Sequence, residues 1–541
     1  MRNHQRRFIA QLITAALVAL ALCLTVVPPV AAQSAQITLL HINDTHSHLD
    51  AWGPKDANLD GTLGGLPKAA AIINAEKTAD PQALFVYGGD FMEGDLFFRD
   101  YLGVPELSLL RSLGLDVMVL GNHDFVAGPD FPASVFQSAW PTGGVPVVGT
   151  NLVVPTNSPL YPWVTPWVMK EVNGVKVGII GITVRNAPRE NNAPLGHPAP
   201  VTVLKYTVDP VPGTVAALRT AGAQVIICIA HIGMVSARDL ATKVPDIDVI
   251  VNGHDHAVLE QPEKVGKTLI ISAGDHYRYV GRLRLAVAGS QVSLVDYALL
   301  SVDETVTPLA SVQAEIDNLK AGIVARYGDV YHQRLAVADP DLTAQFNPNK
   351  AKRDTALGNL YTDAYRGWTG TDVAIEATGW LGDDFPAGPI VGADVFRGMS
   401  YAEPALGKST ATPWRLVTFR TSGATLLAVL EATIALGGDY FPQVSGMRLD
   451  YDSSASAGSK ILADTVHLGG KILAPDQFYS VTVTEGTYGA LLSLKVPMQD
   501  VQLVPVSAFD ATRLLVASRG TLGLATSNRI RDVAGKFKND E

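Results

Sequence analysis

The sequence predicts a layered α/β enzyme with two domains. Three observations predict it. From Ile37 to about Leu300, short apolar runs alternate with helical or loop segments. Several of those runs are apolar throughout, as strands covered on both faces are. Five of them end in Asp, His or Asn motifs, at the strand ends where open α/β sheets bind ligands.

The N-terminus reads as a leader. Arg2, Arg6 and Arg7 precede an apolar run from about Phe8 to Val27. Pro28-Pro29 break it, and Val30-Ala31-Ala32 offers small residues to a peptidase. Residues 1–32 are therefore expected to be a cleaved signal peptide. The protein is then exported to a periplasmic, cell-surface or secreted location. No later stretch reaches the length of a membrane span, so no stable membrane insertion is expected after cleavage. Cys228 alone remains beyond the leader, so no intrachain disulfide can form. It sits in an apolar run and reads as inert packing. The net charge is −10, and loss of the leader removes three arginines and no acid. That balance argues against nucleic acid or an anionic membrane as partner. An anionic small substrate would need local cations or metals.

The first strand, from Ile37, runs into Asn43-Asp44-Thr45-His46. Asp44 and His46 lie two apart, and on an extended backbone they project to one side. Leu84–Tyr87 is followed by Gly88-Gly89-Asp90, whose glycines permit a tight turn. Val117–Leu120 leads to Gly121-Asn122-His123-Asp124, and Val225–Ala230 to His231. Val249–Val251 leads to Gly253-His254-Asp255-His256. Val145–Gly149, Val175–Ile182 and Thr268–Ser272 complete the set of expected strands. Each motif alone reads as turn chemistry or capping. Five together, mixing imidazole, carboxylate and amide oxygen, suit a divalent transition metal rather than calcium. The number of donors fits two ions, with Asp90 bridging them.

These motifs resemble those of the calcineurin-like metallophosphoesterases. The two-domain layout resembles their 5′-nucleotidase family. The resemblance implies a four-layer α/β sandwich over 36–302, a linker helix over 303–329 and a substrate-binding α/β domain over 330–541. It implies that Asp44, His46, Asp90 and His256 hold one metal ion, and that Asp90, Asn122, His231 and His254 hold the other. The two ions would be zinc, manganese, iron or cobalt. His123, beside Asn122, would be catalytic without being a ligand. The family places an acid three residues after this histidine, where this chain has Val126. The expected His–Asp pair is therefore missing, and another acid or a backbone carbonyl would have to orient His123. His48 and the run Gly274-Asp275-His276-Tyr277 would support the rim. Val312, Ile316, Leu319, Ile323 and Val324 recur at helical spacing in the linker. The family's domain rotation would use that helix as a stiff connector.

The second domain departs from the family where it should grip the nucleoside. Thr355–Ala364, Pro386–Ile390 and Phe441–Gly446 match. Phe441 matches one of two rings that sandwich the base, and Tyr488 is a candidate for the other. Where the family carries Asn-Gly-Gly-Gly-Ile-Arg, this chain reads Ala377-Thr378-Gly379-Trp380-Leu381-Gly382. Gly382 stands at the arginine position, and Arg397, Arg415 and Arg420 are candidate replacements. The family resemblance implies an enzyme that cleaves phosphate esters of nucleotides with metal-activated hydroxide: a 5′-nucleotidase, 2′,3′-cyclic phosphodiesterase or UDP-sugar hydrolase. The alternative is a thiosulfohydrolase-like relative with the same metal centre and a non-nucleotide substrate.

Overall fold

The computed structural model describes residues 34–125, 127–185, 201–207, 210–344, 354–400, 402–404, 411–523 and 528–534. The expected leader and Val126 lie outside the described residues.

Two sheets form the middle layers of the first half. One has the strand order Gln291–Ser301, Tyr279–Ala288, Ala35–Ile42, Leu84–Tyr87, Val117–Met118, Val147–Val148, Val164–Thr165. The other runs Glu263–Val265, Thr268–Ile271, Val249–Gly253, Val225–His231, Val175–Thr183, Trp167–Val172. The side-chain period of two splits each strand between two cores. Leu39, Leu84, Val86, Ile227 and Ile229 fill the core between the sheets. Leu40, Phe85 and Tyr87 face the helices outside the first sheet. Ile226, Cys228 and Ala230 face the helices outside the second. The result is helix, sheet, sheet, helix. Cys228 is a buried free thiol in that packing, and burial pushes its pKa up.

Parallel register brings the polar strand ends to one edge. Ile42 lies beside Tyr87, Thr183 beside His231, and His231 beside Gly253. The chain turns there after each of these strands, so the motifs converge.

The helix expected as a linker spans Ala310–Tyr327 and buries Val312, Ile316, Leu319 and Ile323. It is no free hinge. Tyr101 donates to the carbonyl of Leu319 at 2.8 Å, and Lys320 pairs with Asp50 at 2.5 Å. The Arg99 guanidinium lies 3.8 Å from the centre of the Tyr327 ring and 5.9 Å from that of Phe396. One apolar cluster runs from Leu40 and Phe97 through Tyr331 to Leu357, Phe385 and Phe509, across both halves.

The second half is built on a five-stranded sheet ordered Pro442–Ser445, Val373–Ala377, Phe478–Thr484, Arg415–Ser422, Gln499–Ser507. Its opening helix, Ala356–Thr369, is capped by the Thr355 hydroxyl, which accepts from the Gly358 amide at 3.0 Å.

Candidate metal centre

The converging strand ends bring all seven expected ligands together. Asp44, His46 and His256 form one group of donors close enough to hold an ion, and Asp90, His231 and His254 form another. Two donors on a zinc-sized ion, each about 2.0–2.1 Å from it, lie about 3.3 Å apart at the tetrahedral angle. Nε2 of His46 is 3.3 Å from Nε2 of His256 and 3.8 Å from Asp90 Oδ2. Nε2 of His231 is 2.9 Å from the same Asp90 oxygen and 3.2 Å from Asn122 Oδ1. His254 Nδ1 lies 2.9 Å from Asn122 Oδ1. The donor set fits metal binding, and Asp90 stands between the two groups.

The opposite ring nitrogens of three ligands are engaged. Nδ1 of His46 donates to the Met92 carbonyl at 3.1 Å, and Nδ1 of His231 to the Gly88 carbonyl at 2.8 Å. Nδ1 of His256 meets the Asp275 carboxylate at 3.0 Å. Such bonds fix ring orientation and make Nε2 the nitrogen that would meet an ion. Without one, burial is outweighed by Asp90 and Asp44 at His231 and by Asp275 and Asp44 at His256, and both are held up at about 9. Burial and the neighbouring imidazoles hold His46 well below its ordinary range, and hold His254 down at about 4. Both are thus kept in the neutral form that binds metal. Burial works against ionisation of Asp90, but His231 and His123 outweigh it and keep its pKa well below the usual carboxylate range.

Backbone conformation is unusual at this edge. Asp44, His46, Asp90, His254 and His256 all have positive φ, between 46° and 92°. Such residues cost roughly 1–3 kcal/mol each and persist where surroundings over-determine them. Glycines make room for the carboxylates. A Cβ at Gly121 would sit 2.1 Å from Asp90 Oδ1, and one at Gly253 would sit 2.8 Å from Asp44 Oδ2.

Several contributors were not legible as such in the sequence. Asp124 faces away from His123 and accepts from the amides of Gly121, Asp90 and Phe91 at 2.8–3.0 Å, tying two of the motifs together. Asn43 donates to Asp44 at 2.6 Å. Asp275, whose run Gly274–Tyr277 was expected only to support the rim, meets His256 directly. His48 is no donor to either group. Its Nδ1 meets the His46 carbonyl at 2.9 Å, its Nε2 meets Asp383 of the second half at 2.8 Å, and its ring stacks on His276 at 3.7 Å. His123 Nδ1 lies 2.5 Å from Glu93 Oε2. Burial would lower the His123 pKa, but the Asp90 carboxylate and the Glu93 hydrogen bond outweigh it and hold it up at about 9.

The expected substrate side chains fare differently. Phe441 is fully buried in the core of the second half, its ring 5.8 Å from that of Tyr451. It ends the turn Gly438–Tyr440 just before the strand Pro442–Ser445 with its ring packed inward, so here it offers no open face to a base, against the expectation of a stacking role. Tyr488 sits half-buried on the helix Glu485–Ser493 and packs on that same core. The neighbouring exposed ring is Tyr440. Gly382 leaves no space for an arginine, because a Cβ there would lie 2.2 Å from the Arg397 carbonyl. Arg397 is no open substitute. It is buried, with Nε 2.5 Å from Asp95 and Nη1 3.3 Å from Asp394. Arg415 pairs with Glu485 at 2.9 Å, while Arg420 is exposed on its strand.

Comparisons with known proteins follow the same division. Residues 37–258 match the calcineurin-like phosphoesterase family, and residues 335–489 match the 5′-nucleotidase C-terminal domain. A trifunctional nucleotide phosphoesterase of Bacillus subtilis is 25% identical over 79% of this chain, and a 5′-nucleotidase of Bos taurus is 26% identical over 60%. The chain spans 30% of the first relative's length and 54% of the second's. A 5′-nucleotidase precursor from Thermus thermophilus shares the fold at a TM-score of 0.78 and 23% identity, over 93% of this chain and 100% of its own. A sulfate thiohydrolase of Thermus thermophilus shares it at 0.72 and 18%, over 95% and 99%. Fold likeness alone does not separate those two activities. The chain belongs to the calcineurin-like phosphoesterases and, within them, to the two-domain 5′-nucleotidase family.

Proposed function

We propose that the protein is an exported phosphohydrolase that uses two divalent ions to cleave phosphate esters of nucleotides. One observation carries the reading: the Asp90 carboxylate lies 2.9 Å from His231 and 3.8 Å from His46, between the two donor groups. In this reading Asp44, His46, Asp90 and His256 hold one ion. Asp90, Asn122, His231 and His254 hold the other. When bound, the two ions activate water near neutral pH and neutralise charge on the phosphoryl oxygens.

The protein's own groups do the rest. His123 lies at the edge of the donor cluster, its ring centre 4.9 Å from that of His46. Glu93 engages Nδ1, and in this reading Nε2 is the nitrogen that acts on substrate. From there it stabilises charge on the phosphoryl group or gives a proton to the leaving alkoxide. The water oxygen bonds to phosphorus, the ester P–O bond breaks, and alcohol and phosphate depart. Relatives named as nucleotide phosphoesterase and 5′-nucleotidase support nucleotide esters as substrates. The arginine-led apolar leader supports export. Among the described residues no helix is long and apolar enough to cross a membrane.

The test is hydrolysis by the purified chain loaded with manganese or zinc. Substrates would be 5′-AMP, 2′,3′-cyclic AMP, UDP-glucose, an aryl phosphodiester and a sulfonated cysteine peptide. Turnover of the nucleotides is expected. Turnover of the sulfonated peptide alone would replace the reading with a thiosulfohydrolase.

A further inference from the structure

We infer that Glu93 is the positioning residue of His123, doing from thirty residues upstream what the family's acid does from three residues downstream. The inference rests on the phosphohydrolase reading above and deepens it. The Glu93 carboxylate is 2.5 Å from His123 Nδ1, and its side chain is only 4% exposed. Its other oxygen, Oε1, is buried without a hydrogen-bond partner among the described residues. A buried carboxylate with one partner is costly unless that partner bonds it well. The carboxylate is therefore committed to the imidazole.

The turn that carries Glu93 is built to hold it there. Glu93 has φ 65°, flanked by Gly94 at 95°. A Cβ on Gly94 would strike the His46 carbonyl at 2.4 Å, so the turn wraps tightly over the first motif. The Ser47 hydroxyl donates to the Phe91 carbonyl at 2.8 Å. Asp124, the residue after His123, accepts from the amides of Asp90 and Phe91 at 3.0 Å. The Asp90 carboxylate accepts from the His123 amide at 2.8 Å. The loop bearing His123 and the turn bearing Glu93 are thus tied at two further points, and the pair cannot drift apart. With Nδ1–H directed at Glu93, the imidazole is held in one ring orientation, and Nε2 is the nitrogen assigned to the substrate.

A structural acid and a positioning acid differ in how their loss depends on the leaving group. Nucleoside alkoxides need a proton; nitrophenolate leaves without one. Glu93→Gln is expected to lower kcat on 5′-AMP about a hundredfold and on 4-nitrophenyl phosphate by less than about fivefold, with KM nearly unchanged. The His123→Ala and Glu93→Gln/His123→Ala variants should then match within about twofold, because Glu93 acts through His123. Metal content and Tm, measured on each variant, report folding separately. A double variant that multiplies the single losses would overturn the inference; equal losses on both esters with a double variant that still matches His123→Ala would keep it and assign His123 to stabilising phosphoryl charge. Wild-type protein inactive on both esters would instead overturn the phosphohydrolase reading.

Discussion

The metal-facing edge and the second half of the molecule answer to different demands. At the edge, His46, His231 and His256 each have the far ring nitrogen held by an acceptor, and glycines clear space for Asp44 and Asp90. In the second half, the family's arginine is Gly382, pressed on the Arg397 carbonyl, and Phe441 is sealed into the core. Coordination distances leave little freedom, so the edge keeps its residues. Recognition of an alcohol group has many solutions, so that face can be rebuilt.

The largest effect should come from the shared carboxylate. Asp90→Ala should lower kcat/KM on any phosphate ester by at least about a thousandfold, read with metal content by mass spectrometry. Unchanged turnover would end the claim that the edge does the chemistry. Phe441→Ala should cost about 3–5 kcal/mol in urea unfolding and leave the ratio of AMP to nitrophenyl phosphate turnover alone. A selective loss on AMP would break the comparison by returning a base-stacking role to Phe441.

A third expectation concerns Glu376, buried at the end of the strand Val373–Ala377. Burial outweighs its hydrogen bonds to Thr487 and Thr484 and raises its pKa to about 7. The native carboxyl keeps its proton while the unfolded one ionises near 4.5. Unfolding therefore releases a proton between those values, and stability falls as pH rises from about 4.5 to about 7. Glu376→Gln should flatten that fall, by up to about 3 kcal/mol between pH 5 and pH 8, measured as urea midpoints. A fall as steep as wild type would mean that Glu376 stays ionised and faces solvent or ligand. The smallest effect belongs to the edge again. Asp275→Asn should weaken metal affinity about 10–100-fold, read by metal titration, with Tm of the metal-free protein little changed.

Much of the edge was legible because its residues sit at the ends of apolar strands in fixed order. Asp44, His46, Asp90, Asn122, His231, His254 and His256 meet because parallel register aligns those ends. Glu93 was not legible. Its contact with His123 depends on positive φ at residue 93, which nothing in a glutamate announces. For Phe441, a motif match fixes where the residue lies in the chain, not which way the turn before the next strand points its ring. Arg397 was a candidate for the missing substrate cation, and what commits it elsewhere, its carboxylate partner Asp95, comes from the other half of the chain.

The apolar cluster that runs from Leu40 to Phe509 bears on how such a protein can be recombined. Its two halves are not exchangeable parts. A chimera that takes its second half from a relative must bring matching partners for Phe97 and Arg99, or leave an open seam in the middle of the molecule. Inheritance of new substrate preference is then easier by point change at the rim than by wholesale transplantation.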